Sequence, residues 1–176
     1  MSYKAKNAID LMIPIDLLPQ VSPETTIKEV IPFIKNYRMK INGKDQPSRA
    51  ILVIQDNSLV GIVQRRDILS GLDINKYFGL NNIPSGLEND FDTNLLEVSF
   101  PFIKEKLKEE LNRKVSEIMA PVDQSVDVND HIFKVIYTLK DYRVVPVCEK
   151  SKVVGVIRTV EIMEEIADIF ELKNEK

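Results

Sequence analysis

"LVGIVQRRDIL", Leu59 to Leu69, and "VVGVIRTVEIM", Val153 to Met163, decide the reading of this chain. Each runs two apolar residues, a glycine, two apolar residues, three variable positions, an acid and two apolar residues. Gly61 aligns with Gly155, Asp67 with Glu161 and Ile68 with Ile162. A pattern returning in order is an internal repeat, and it governs every later assignment.

The repeat extends upstream. "TIKEVIPFIKNYR" ends at Arg38 and "HIFKVIYTLKDYR" at Arg143. Ile27, Val30, Ile31 and Ile34 match Ile132, Val135, Ile136 and Leu139, at the i, i+3, i+4, i+7 spacing of an amphipathic helix. Capping types precede both helices, in "SPETT" and "VND". "AILVI" with "LVGIV", and "VVPVC" with "VVGVI", read as strand pairs joined by the turns "QDNS" and "EKSK". Further upstream, "DLMIP" resembles "EIMAP". Each copy therefore predicts β-α-β-β-α. Near-continuous apolar strands predict sheets covered by helices. Pro32 breaks the helix rule in the first copy.

Two segments do not repeat. The first copy carries an extra stretch, about residues 39–49, with Arg38, Lys40, Lys44 and Arg49 in or beside it, read as an exposed basic loop. It also has the length to reach over the first cleft toward a phosphate. The spacer contains "NNIPSGLENDFD", a loop by its turn formers. It ends in "FPFIKEKLKEELNRK", a helix with Ile103, Leu107 and Leu111 on one stripe. Glu109–Arg113 and Glu110–Lys114 are expected as i,i+4 pairs. The domain reading is repeat 1 over 8–71, loop and spacer helix over 72–114, and repeat 2 over 115–170.

Composition bounds the chemistry. The chain has 176 residues, 44% apolar and 29% charged, with a net charge of −3. That length supports a sizeable core. The acidic balance gives no nucleic-acid footprint. No apolar run nears the roughly 20 residues of a bilayer span, and no signal peptide is visible, so the cytoplasm is the expected compartment. One histidine and one cysteine cannot build a zinc cluster. His131 reads as a surface residue of a first helical turn, and Cys148 as a buried structural thiol. No nucleophile, base and oxyanion hole assemble by spacing, so an enzyme is not expected.

Two ordered β-α-β-β-α copies, each opening near a methionine and closing on the glycine–acid pattern, resemble a tandem pair of cystathionine β-synthase (CBS) domains, often called a Bateman module. The resemblance covers residues 8–71 and 115–170. It implies an α/β (α+β) fold of two repeats about a pseudo-two-fold axis, with a helical spacer and two clefts between the copies. It implies a regulatory module that binds AMP, ADP, ATP or S-adenosylmethionine, requires no cofactor, and forms a homodimer. Read as a stand-alone chain, it would signal in trans to a separate effector protein, with no nucleic acid or membrane involved. The alternative is a dimerising scaffold with degenerate clefts and no nucleotide.

The family pattern places Ser or Thr three residues after the glycine, for phosphate, and Asp three further on, for ribose. Asp67 matches the acid, while Gln64 replaces the hydroxyl. Glu161 matches with a longer arm, and Arg158 replaces the hydroxyl, with Thr159 one place late. Arg158 either grips phosphate through its guanidinium fork or fills the cleft and pairs with Glu161. Both acids also stabilise a first helical turn. The resemblance adds adenine-lining segments, Asp16 to Gln20 with Leu18, and Asp123 to Ser125. It adds the strand entries Ala50 to Leu52 with Ile51, and Val144 to Pro146. Arg65, Arg66 and Arg143 are phosphate candidates. The glycine itself predicts a close approach of backbone or ligand.

Overall fold

The computed structural model describes residues 5–41, 43–72 and 93–171. The expected loop at 81–92 lies outside them. In the first copy β1 is Ile13–Pro14 and β2 Gln20–Val21. The helix α2, Ile27–Asn36, leads to β5, Ala50–Gln55, β6, Ser58–Gln64, and α3, Arg65–Gly71. In the second, β7 is Ala120–Pro121 and β8 Val126–Asp127. They precede the helix α5, Ile132–Leu139, then β9, Val144–Glu149, β10, Lys152–Arg158, and α6, Thr159–Ile169. A short helix α1, Ala8–Leu11, precedes β1, and the spacer helix α4 spans Thr93–Leu111.

The strands form two four-stranded sheets, ordered β1-β10-β9-β8 and β2-β5-β6-β7. The orders are reciprocal, because each copy's leading strand joins the other copy's sheet. Ile13 and Pro14 pair with Val156 and Gly155, and Ala120 and Pro121 with Ile62 and Gly61. The leaders carry their apolar residues across too. Ala8 and Leu11 are buried with Val135, Val147 and Ile157 of the second copy. Val115 is buried with Ile27, Ile51 and Val63 of the first. Backbone bonds fasten both crossings: Ala8 N–H to Asp130 O at 2.8 Å, and Val115 N–H to Thr25 O at 2.8 Å. Lys6 meets the buried Glu165 of α6 at 2.5 Å.

Alternation along the strands sends residues to two cores. Ile51 and Val53 face α2 and α3, while Ala50 and Leu52 face the other sheet with Ile13, Ile62 and Val156. Burial on both faces explains the continuous apolar runs. The layers are therefore helix, sheet, sheet, helix.

The glycines sit at the crossing. Each follows a bulged residue, Val60 or Val154, which has no partner in the strand ladder. A Cβ on Gly61 would lie 2.7 Å from Met119 Cγ. A Cβ on Gly155 would lie 2.6 Å from the Ile13 carbonyl oxygen and 2.8 Å from Met12 Sδ. The expected close approach is thus made by the other copy's leader. The missing side chain admits the methionine of "EIMAP" in one copy and "DLMIP" in the other.

Both strand pairs turn through two residues with positive φ, Asp56 and Asn57, then Lys150 and Ser151. These are the hairpin turns whose twist matches the strands. Asn and Asp tolerate this conformation better than Lys and Ser do. Thr26 caps α2, accepting from Glu29 N–H at 3.4 Å. In α5 the cap is His131, whose Nδ1 accepts from Phe133 N–H at 3.3 Å, while Asp127, Asn129 and Asp130 close the preceding turn. The helix α4 forms with Ile103 buried. In place of the expected Glu109–Arg113 and Glu110–Lys114 pairs, Glu109 meets Lys106 at 3.0 Å, Arg113 just past the helix end bonds Glu110 at 3.0 Å and Glu117 at 2.9 Å, and Lys114 reaches Glu24.

The extra stretch of the first copy is a hairpin, not an open loop. Its strands are β3, Arg38–Ile41, and β4, Lys44–Pro47. Met39 is buried in the sheet–sheet core, and Ser48 Oγ donates to Ala50 O at 2.7 Å. Lys40 and Arg49 are exposed.

Gly61→Ala should destabilise the fold by about 1–3 kcal/mol, the range for an overpacked core. Met119→Ala in the same chain should recover part of that loss in urea unfolding, because a flexible side chain is the obstacle. Gly155→Ala should cost more, and Met12→Ala should not rescue it, because the Ile13 carbonyl stays in place. Replacing Lys150 and Ser151 by Asn and Gly should raise stability by about 1 kcal/mol in the same measurement.

Candidate functional site

Both acids begin with the same local task. Asp67 is the third residue of α3 and accepts the Gln64 backbone N–H at 2.7 Å. Glu161 is the third residue of α6 and accepts the Arg158 N–H at 3.0 Å. Each satisfies a donor that the helix start leaves unpaired. The copies differ in what surrounds these acids.

Around Asp67 there is open space. A cleft of about 300 Å³ is lined by Ile62, Gln64, Arg66 and Asp67 of the first copy, Ala120 and Pro121 of the crossing strand, and Asp141 to Val144 of the second copy. Burial pushes the Asp67 carboxyl above its ordinary pKa. The Gln64 N–H, Arg143 and Arg66 pull in the opposite direction. The result is a half-buried carboxylate facing two exposed guanidinium groups. A carboxylate can take two hydroxyl donors, and paired arginines suit phosphate. Tyr142, whose hydroxyl donates to Asp123 Oδ2 at 3.2 Å, forms part of the wall.

Beside Glu161 the equivalent position carries a buried arginine. The repeat maps Gln64 onto Arg158 and Asp67 onto Glu161. Arg158 is 4% exposed. Its Nε donates to Glu161 Oε1 and Oε2 at 3.1 and 3.0 Å, and Nη2 also meets Oε1. The remaining contact of Nη2 is Gln46 Oε1 on β4, at 3.2 Å. Arg158 is thus buried and paired with Glu161 in this structure.

The other candidates are spread out. Arg143 and Val144 of the second copy join Asp67, Gln64 and Arg66 in one cleft. Ile51 is fully buried beneath α2, and Leu18 is buried between the sheets. Ser125 is exposed before β8. Thr159 is exposed at the start of α6, its N–H donating to Arg143 O at 3.1 Å. Sequence reasoning missed Gln46, Tyr142 and Pro121. Pro121 had a signal, since it repeats Pro14. Gln46 had none, because it lies in the unmatched stretch. Among the described residues no helix is long and apolar enough to cross a membrane, and no cluster of His, Cys, Asp or Glu could hold a metal ion.

The CBS domain family model matches residues 8–73 and 115–168, so the chain belongs to the CBS domain family. Comparison with curated proteins finds no match. Among solved structures, the fold is similar to the CBS-pair protein CBSX2 from Arabidopsis thaliana, with a TM-score of 0.62 at 18% identity. That match covers 97% of this chain and 100% of the other. It is also similar to CBSX2 in complex with AMP, with a TM-score of 0.59 at 18% identity, covering 94% and 98%. The cytosolic domain of the Mg²⁺ channel MgtE in complex with ATP gives a TM-score of 0.55 at 19% identity. There the match covers 93% of this chain and 50% of the other.

Glu161→Ala should cost about 3–5 kcal/mol in urea unfolding, because it leaves the Arg158 charge buried and unpaired. Asp67→Ala should cost about 1 kcal/mol, the scale of one lost helix-start hydrogen bond.

Proposed function

We propose that this protein is a non-catalytic regulatory module that binds one adenine nucleotide in the cleft between Asp67 and Arg143. The observation that carries this reading is the cleft itself. A half-buried acceptor carboxylate, Asp67, faces Arg66 and Arg143 across a volume at the lower end of the ligand-pocket range, about 300 Å³. In this reading Asp67 accepts the ribose hydroxyls, Arg66 and Arg143 hold phosphate, and Tyr142 and Pro121 wall the base. Binding draws the two copies together across the cleft, and the altered surface is read by a partner protein. The AMP and ATP complexes of structurally similar proteins support the ligand class. Phe133, Tyr137 and Met163 are largely exposed on α5 and α6, which supports assembly of two copies through that face.

The test is calorimetry and thermal melting with AMP, ADP, ATP and S-adenosylmethionine. A ligand at one hundred times its Kd should stabilise the fold by about 2.7 kcal/mol. Arg143→Ala should weaken binding about tenfold or more, with the ligand-free melting temperature little changed, as expected for an exposed charge-assisted contact. No response to any of the four at millimolar concentration would overturn the nucleotide reading and leave a dimerising scaffold.

The raised pKa of Asp67 also fixes a pH signature. The folded state holds that proton more tightly than the unfolded chain. As pH falls below the raised value, the carboxylate is lost as a two-hydroxyl acceptor. Affinity should therefore drop on acidification through a window starting above 3.8, the ordinary Asp value. Asp67→Asn should bind more weakly at neutral pH and lack that part of the drop.

A further inference from the structure

The hairpin enters the chain at a telling place. In the open cleft, Asp141 to Val144 connects α5 to β9 and forms one wall. The repeat maps Asp141, Tyr142 and Arg143 onto Asn36, Tyr37 and Arg38, and Val144 onto Ala50. Between Tyr37 and Ala50 lies the whole of β3 and β4. The insertion therefore grows out of the wall of the second cleft. Its paired residues Met39 and Gln46 share one face of the hairpin. Met39 is sunk in the sheet–sheet core, and Gln46 bonds Arg158. Arg158 in turn is held by Glu161, so the chain supplies both the cap and the group beneath it.

We propose that the β3–β4 hairpin is an intramolecular occupant of the second cleft, latched through Gln46, Arg158 and Glu161, so that each chain offers one nucleotide site in place of two. A guanidinium lies where the family pattern would place a phosphate-binding hydroxyl, and its charge is matched by the acid that would otherwise take ribose. The chemistry of that cleft is thus satisfied from within. Opening it requires removal of the latch, and the cleft thus exposed takes the same nucleotide class. Only the stoichiometry below rests on the nucleotide reading; the latch does not.

The latch is tested without ligand by limited trypsin digestion of the full chain. Lys40 and Arg49 are exposed trypsin sites at the hairpin. Cleavage tracks the population of the open form. Gln46→Ala keeps the Arg158–Glu161 pair intact, and Arg158→Thr with Glu161→Asp restores the hydroxyl–acid pattern without stranding a charge. Both should speed cleavage within residues 38–49, the double variant roughly tenfold, while cleavage at the exposed Lys108 of α4 stays at the wild-type rate. The second arm is titration calorimetry with AMP. One AMP per wild-type chain and two per Arg158→Thr/Glu161→Asp chain is the expected result. Two per wild-type chain overturns the proposal, as does a double variant still limited to one site despite a loosened hairpin. Unchanged trypsin rates in both variants also overturn it. No AMP binding to any form, with faster hairpin cleavage, would retire AMP as the ligand while leaving the latch in place. If the double variant fails to fold, Gln46→Ala alone decides the latch by the trypsin rate.

Discussion

The whole molecule rests on two places where a side chain is missing. Gly61 and Gly155 leave room for Met119 and for Met12 with the Ile13 carbonyl. Through these notches each copy's leader crosses to the other copy's sheet, completes its edge, and fills its helix-side core with Ala8 and Leu11, or with Val115. The crossing aligns the two sheets face to face. It also brings Ala120 and Pro121 alongside Asp67, so one constraint of packing builds the cleft wall.

A repeated motif does not produce a repeated environment. The acid of each copy closes its own helix start in the same way. Three positions after each glycine the copies diverge, with Gln64 lining a cleft and Arg158 buried against Glu161. The desolvation of a lone arginine in that position would be costly, and the longer arm of Glu161 lets its carboxylate reach both the helix start and the guanidinium. Gln46 then meets a donor of Arg158 from an element that only one copy has.

The fold was legible because helical spacing, turn residues and the paired glycine patterns all recur in order. Periodicity located Ile27, Val30 and Ile34 in the core without any tertiary information, while Ile31 of the same stripe stays exposed on α2. What spacing cannot report is where a strand finds its partner, so "DLMIP" and "EIMAP" read as the openings of their own copies. The grouping of Arg143 with Asp67 was hidden for the same reason, since it arises only once the copies face each other. Ile51 and Leu18 lie beside the cleft in sequence terms, yet alternation along β5 and closure of the sheet–sheet core bury them. His131 could be placed in a first helical turn, but its capping bond depends on ring orientation, which residue type alone does not set.

The contact between Lys6 and the buried Glu165 has a further bearing on how the two copies can move. It ties the segment before α1, which leads the first copy, to the helix α6 of the second. The same segment is held to the second copy by the bond from Ala8 N–H to Asp130 O and by the pairing of Ile13 with Val156. Any sliding of that leader along the second copy must therefore break a charge contact as well as a strand, so the two repeats are coupled at a point remote from the cleft.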